Sequence, residues 1–189
     1  MSGPVTGTSF AIRLAKQDFK FSVAHFTIFS ADDAEPLHGH NYRLALEVEG
    51  TSVDELGLLA DCDRLKKAAR AICATLDDKV LLPGESPYLA IGTSDDAIDC
   101  HYGSREYRFP RSEVLVLPVA NVTMELLARW SWERLQKVVR GGRVSRLEVE
   151  IEETPGQLCR FSAPVATANG TAGVAPTSGA RAARKSGQK

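Results

Sequence analysis

The chain has 189 residues, 43% of them hydrophobic, four histidines, four cysteines and a formal net charge of −1. That length and apolar content suit one domain with a sizeable core. The near-zero charge excludes a global basic field for nucleic acid, and no apolar run approaches the length of a membrane span. The N-terminus lacks a charged-then-apolar signal pattern, and Cys62, Cys73, Cys100 and Cys159 form no C-x-x-C pair. Reduced thiols in a cytoplasmic protein are the expectation.

Residues 1–9 are small and polar, an expected flexible N-terminus. Phe10 to Phe26 reads as a strand, bent near Lys16-Gln17-Asp18, with Phe19, Phe21, Val23 and His25 on one face. Thr27 to Leu37 is a loop. His38 to Glu49 is a second strand, apolar at Tyr42, Leu44, Leu46 and Val48 and charged at Arg43, Glu47 and Glu49. His38 and His40, two apart, share its apolar face. If the two strands pair, His25, His38 and His40 converge. Three neutral imidazoles fill three positions of a tetrahedral zinc ion and leave the fourth open, as in catalytic zinc sites. The H-x-H pair alone reads more readily as loop histidines beside a satisfied core histidine; His25 on a matching face brings the metal reading level with it.

Leu58 to Asp78 reads as a helix with Asp61 as N-cap and an apolar stripe of Cys62, Leu65, Ala69, Ile72 and Leu76. Residues 84–117 form an insert in which Ile98–Tyr102 and Arg105–Phe109 flank Gly103-Ser104, a hairpin pattern. A second helix spans about Val122 to Arg140, capped by Asn121 or Thr123 and stopped by Gly141-Gly142. Val144 to Glu153 alternates as a strand, Thr154-Pro155-Gly156 turns, and Gln157 to Phe161 closes. Residues 162–189 read as a disordered tail with a solvated basic end. This order predicts a single α+β domain over residues 10–161, a four-stranded antiparallel sheet with two helices on one face and an inserted hairpin.

Phe21-Ser22-Val23-Ala24-His25 followed by His38-Gly39-His40-Asn41-Tyr42 resembles the signature of the 6-pyruvoyltetrahydropterin and 6-carboxytetrahydropterin synthase family. The similarity extends over roughly the first 160 residues. The resemblance implies the tunnelling fold (T-fold), a barrel completed by oligomerisation into trimers or hexamers with sites at subunit interfaces. It also implies a catalytic Zn2+ held by His25, His38 and His40, and a lyase acting on 7,8-dihydroneopterin triphosphate or a related pterin. Glu153 matches the family's pterin anchor, since a carboxylate accepts both a ring N–H and the amino group. Glu152 is its register rival, and the alternation Leu147, Val149, Ile151, Glu153 favours Glu153. Glu125, in Thr123-Met124-Glu125, matches a family glutamate near the pterin; it is equally a first-turn residue favoured by the helix dipole.

Two positions depart from the family pattern. The cysteine base expected four residues ahead of the first histidine is Ala34, and the family's L-D-H is Leu76-Asp77-Asp78. Asp77 is kept and Asp78 replaces a histidine. Glu35 is the nearest substitute base, because some family members use a glutamate in this loop; Asp32, Asp33, Cys100 and His101 are further candidates. The alternative to a synthase is a zinc- and pterin-binding homologue with altered catalysis, aldolase-like through Glu35, or a non-catalytic binding module.

Overall fold

A computed structural model describes residues 9–139 and 142–165. Residues 1–8 and the tail from residue 166, both expected to lack fixed structure, fall outside that range. The first expected strand is two, β1 (Phe10–Leu14) and β2 (Lys20–His25). Both run antiparallel along one edge of the long β3 (His38–Gly50): Leu14 sits opposite Leu46, Lys20 opposite Arg43 and His25 opposite His38. The Lys16–Asp18 polar stretch breaks the strand, and Phe19 O still accepts Leu44 N–H at 2.9 Å across the gap.

The helix α1 (Cys62–Leu76) is shorter than its apolar pattern, because Asp54 draws the N–H groups of Leu56 and Leu58 into a turn at 3.0 and 2.8 Å. Asp61 caps it by accepting Arg64 N–H at 3.0 Å, and its stripe of Leu65, Ala69, Ile72 and Leu76 is buried. Next come β4 (Lys79–Pro83), the insert strands β5 (Ala90–Thr93), β6 (Ala97–Tyr102) and β7 (Arg105–Pro110), and β8 (Val114–Leu117). The helix α2 (Met124–Leu135), capped by Thr123, continues as a 3-10 turn to Val138. The chain closes with β9 (Val144–Thr154), on the free edge of β3, and β10 (Gln157–Pro164), which runs past the expected Phe161.

The domain is α+β as expected, but its main sheet has seven strands, ordered β10-β9-β3-β2-β4-β8 with β1 also on β3. It is mixed: β2 and β4, and β4 and β8, pair in parallel. The two added strands, Lys79-Val80-Leu81-Leu82-Pro83 and Val114-Leu115-Val116-Leu117, lack polar–apolar alternation, as strands of parallel pairs do. That is why the pattern predicted four antiparallel strands. In the single chain the sheet is open.

Alternate residues of β2, β3 and β9 meet the apolar stripes of both helices in one core, with Phe21, Tyr42, Leu44, Leu147, Ile151 and Leu127 nearly inaccessible. Gly50 ends β3 where a Cβ would meet Arg143 O at 2.1 Å, so no other residue fits that approach. The insert adds a three-stranded sheet, β5-β6-β7. It builds a second small core from Ile98, Cys100 and Tyr102 against Phe26, Ile28 and Ala34 of the loop after β2.

Candidate metal and substrate site

Antiparallel pairing of β2 with β3 brings His25 directly opposite His38 and sets His40 across from Val23. The nearest ligand atoms of His25, His38 and His40 all lie within 4.8 Å of one another. His25 is 1% exposed, while the other two are half-buried. Backbone carbonyls orient two of the rings: Val122 O lies 3.2 Å from His25 Nδ1 and Pro36 O lies 2.8 Å from His38 Nδ1. A carbonyl only accepts, so each Nδ1 carries the proton and each Nε2 presents a lone pair. Burial pushes the His25 pKa down, and the charge of His38 adds to that, which keeps the ring neutral and ligand-competent.

Glu153, at the end of β9, closes the site from the other side of β3. Its Oε1 lies 3.6 Å from the Nε2 atoms of both His25 and His40. Tyr42 donates its hydroxyl to that oxygen at 2.5 Å, and the same phenol oxygen lies 3.0 Å from His25 Nε2. Burial first, and Glu153 second, raise the Tyr42 pKa, so the phenol stays protonated and its one hydrogen goes to Glu153. The Nε2 lone pair of His25 therefore faces the Glu153 carboxylate at 3.6 Å with no proton of its own to offer. A cation resolves that arrangement, and three imidazole nitrogens at this spacing fit Zn2+.

A surface cavity of about 600 Å³ opens beside the histidines, lined by His40, Asn41, Asp78, Lys79, Glu113 and Glu153 among others. It sits where the β2–β4 ladder stops after Val23–Lys79 and Ala24–Val80. Asp78 turns into it at φ 56°, in the left-handed region that Asp tolerates better than most residues. Asp77 faces β2 and accepts Ser22 N–H at 2.7 Å, while Asp78 N–H donates to Ser22 O at 2.8 Å. The pair thus splices the end of α1 onto β2.

Glu35 accepts Thr27 N–H at 3.0 Å, and its Oε2 lies 4.0 Å from His38 Nε2. Burial acts to raise its pKa, but the Thr27 N–H and the charge of His38 outweigh it and hold the carboxyl below the ordinary value. Ala34 is 8% exposed and belongs to the second core. Glu125 is exposed on the first turn of α2, outside the cavity, and its charge helps to raise the Cys159 thiol pKa after burial does. Cys100 is buried under the insert, its thiol pushed up to about 11 by burial, and His101 is exposed beside Glu106 at 3.7 Å. The four cysteines are unpaired. No helix among the described residues is long and apolar enough to cross a membrane.

The roles of three residues escape a reading by motif. Tyr42 sits at an apolar strand position, where its hydroxyl is invisible to periodicity; a buried phenol's need for a partner is the only signal. Asn121 accepts Ile28 N–H at 3.1 Å and donates to Ile28 O at 2.9 Å, clamping the loop after β2. Arg105 reaches the same loop from the insert.

Residues 14–164 match the model of the family described as 6-pyruvoyl tetrahydropterin synthase. A putative 6-carboxy-5,6,7,8-tetrahydropterin synthase of Pyrococcus abyssi is 31% identical over 142 residues, 72% of this chain and 81% of the relative. The corresponding Methanocaldococcus jannaschii protein is 27% identical over 141 residues, 73% of this chain and 86% of its own. Among solved structures, the 6-pyruvoyl tetrahydropterin synthase of Plasmodium vivax is 26% identical with a TM-score of 0.78, covering 84% of this chain and 99% of that one. The Plasmodium falciparum protein is 25% identical with a TM-score of 0.79, covering 84% and 100%. Two further structures of the Plasmodium vivax protein replace a catalytic glutamate by alanine or by cysteine. The expected tunnelling fold is thus the fold of the chain. With four-fifths of its length matched, and its histidines set on neighbouring strands as the signature requires, the chain belongs to the 6-pyruvoyl tetrahydropterin synthase family.

Proposed function

We propose that the chain is a zinc-dependent lyase that processes 7,8-dihydroneopterin triphosphate or a related pterin, with Glu35 as proton carrier in place of the missing cysteine. The observation that carries this is the convergence of His25, His38 and His40, with Glu153 3.6 Å from two of them and its carboxylate fixed by Tyr42. His25, His38 and His40 hold Zn2+. When bound there, zinc supplies Lewis-acid polarisation of a substrate oxygen and acidifies the neighbouring C–H bond.

The chain's own residues do the rest. Glu153 anchors the pterin by accepting its ring N–H and amino group; Gln157 Nε2, which donates to Glu153 Oε2 at 2.9 Å, occupies one of the positions these donors take over. Glu35, ionised and held by Thr27 beside His38, moves the side-chain proton. Asp78 stands at the cavity edge with Asp77 behind it, at the positions of the family's Asp–His pair, and the two hold that edge to β2. A catalytic glutamate in the Plasmodium vivax relative supports the assignment of Glu35 over the aliphatic Ala34. Glu125 serves the pterin only through an assembly.

A homo-oligomer, trimer or hexamer, with sites shared between subunits is supported by the bare edges of β8 and β10, where Val116 is 40% and Leu158 39% exposed. A cytoplasmic location fits this enzyme class. The test is product analysis by mass spectrometry after zinc-loaded protein is incubated with 7,8-dihydroneopterin triphosphate. A 6-carboxy, 6-pyruvoyl or side-chain-cleaved product, with turnover reduced about 10²–10⁴-fold by Glu35→Gln, supports the reading. Tight pterin binding with unchanged substrate would replace it with a binding module.

A further inference from the structure

We propose that Arg105, carried by the insert hairpin, is the positioning residue for Glu35. The inference rests on the reading of Glu35 as proton carrier. Arg105 opens β7 just after the Gly103 turn and pairs with Tyr102 across the hairpin. Its guanidinium crosses 70 positions of sequence to donate from Nη1 to Glu35 O at 2.7 Å, and from Nη2 to Ala34 O at 3.0 Å. Tyr102, whose ring lies 5.6 Å from that guanidinium, donates its hydroxyl to Ser30 O at 2.8 Å. Two hairpin residues thus hold three carbonyls of one loop.

The loop's own contacts are local: Glu35 N–H donates to Thr27 O at 2.9 Å, and Ile28 bridges Ala34. They close the loop on itself; Asn121 ties its Ile28 end to the segment before α2, and the Ala34–Glu35 end still needs a tie to a rigid element. Arg105 supplies that tie, to a sheet packed through Tyr102, Cys100 and Ile98 on the second core. A planar fork with parallel N–H groups serves two successive carbonyls; an ammonium satisfies one at a time. The insert is therefore part of the site machinery. It aims Glu35 without touching the reacting atoms, and a carboxylate misplaced by about 1 Å loses on the order of 10²-fold in rate.

The test is a double-mutant cycle on zinc-loaded full-length protein with 7,8-dihydroneopterin triphosphate as substrate. Arg105→Met is expected to lower kcat by about 10–100-fold, with bound zinc and substrate affinity unchanged, and to speed amide exchange at Phe29, Ser30 and Glu35. In the Glu35→Gln background the same substitution is expected to change kcat less than about twofold, because the group it aims is already gone. Arg105→Lys, which keeps the stem and charge, is expected to recover part of the rate, and it carries the cycle if Arg105→Met does not fold. Losses that multiply, or no loss in Arg105→Met when Glu35→Gln is impaired, overturn the assignment of Arg105 alone. An undiminished kcat in Glu35→Gln overturns the Glu35 reading and this inference with it.

Discussion

Tyr42 donates its phenol hydrogen to Glu153 across the β3–β9 pair, and so decides which way the lone pairs of the site face. The carboxylate is fixed before any ligand arrives, a preorganised acceptor in a largely buried place. Tyr42→Phe removes the donor and leaves Glu153 Oε1 without it. The substitution is expected to cost about 1–3 kcal/mol of folding stability and to weaken pterin binding. Chemical denaturation and a fluorescence titration with 7,8-dihydroneopterin check both; unchanged values in the two experiments would separate Tyr42 from the site.

Glu153→Gln keeps the shape of the side chain and removes its charge. Loss of a charged hydrogen bond to the pterin is expected to weaken binding by about 1.5–3 kcal/mol, roughly 10–100-fold in Kd. Glu152→Gln, whose carboxylate instead accepts Gly156 N–H at 3.2 Å in the following turn, is expected to leave binding nearly unchanged. Equal effects at both positions would return the register question to the alternatives open in the sequence.

Zinc content is expected to depend on the histidines. His40→Ala is expected to release the metal, read by elemental analysis after desalting, and full occupancy would remove His40 from the ligand set. It is expected to do so without unfolding the chain, because His40 is only half-buried whereas His25 is enclosed.

Restoring the family's cysteine is expected to fail. Ala34 points into the second core with Phe26, Ile28 and Tyr102, not toward the histidines. Ala34→Cys is therefore expected to leave turnover unchanged and to destabilise by about 1–3 kcal/mol through overpacking. A rise in synthase rate would show that the loop turns over in solution.

Metal-free protein is expected to lose stability as pH falls below about 6.5, the ordinary value of a histidine. The unfolded chain takes up a proton there, while burial holds folded His25 neutral to lower pH. Protons therefore favour the unfolded state from 6.5 downward to the depressed folded value, and above 6.5 the effect vanishes. Denaturation midpoints measured across this window, with His25→Asn as the control, read the slope; an equal slope in the control would assign it to other groups.

The convergence of the histidines and the face of Glu153 are legible in the sequence because they depend on a period of two in β2, β3 and β9, where one buried face admits one register. The caps of both helices are legible for a similar reason: Asp61 and Thr123 act through N–H groups three residues away. What is hidden is non-local or unpatterned. Strands β4 and β8 are short apolar runs that carry no face preference. The division of the first strand into β1 and β2 is marked locally only as a bend at Lys16–Asp18; that both pieces then pair along β3 is non-local. Arg105 meets Glu35 only after the insert folds back on the loop, and nothing in Arg105-Glu106-Tyr107 distinguishes that arginine from a solvated one.

Glu153 meets Tyr42 across 111 positions, and His25 leans on Val122 across 97. During synthesis, the three histidines leave the ribosome long before the residues that orient and close their site. A nascent chain ending before β9 carries the imidazoles but neither the carboxylate nor the strand that covers the free edge of β3. Contacts so distant in sequence form slowly, since loop closure precedes their reward. Pterin affinity in this protein therefore reports on completion of the fold, and a ligand bound there holds the two ends of the domain together.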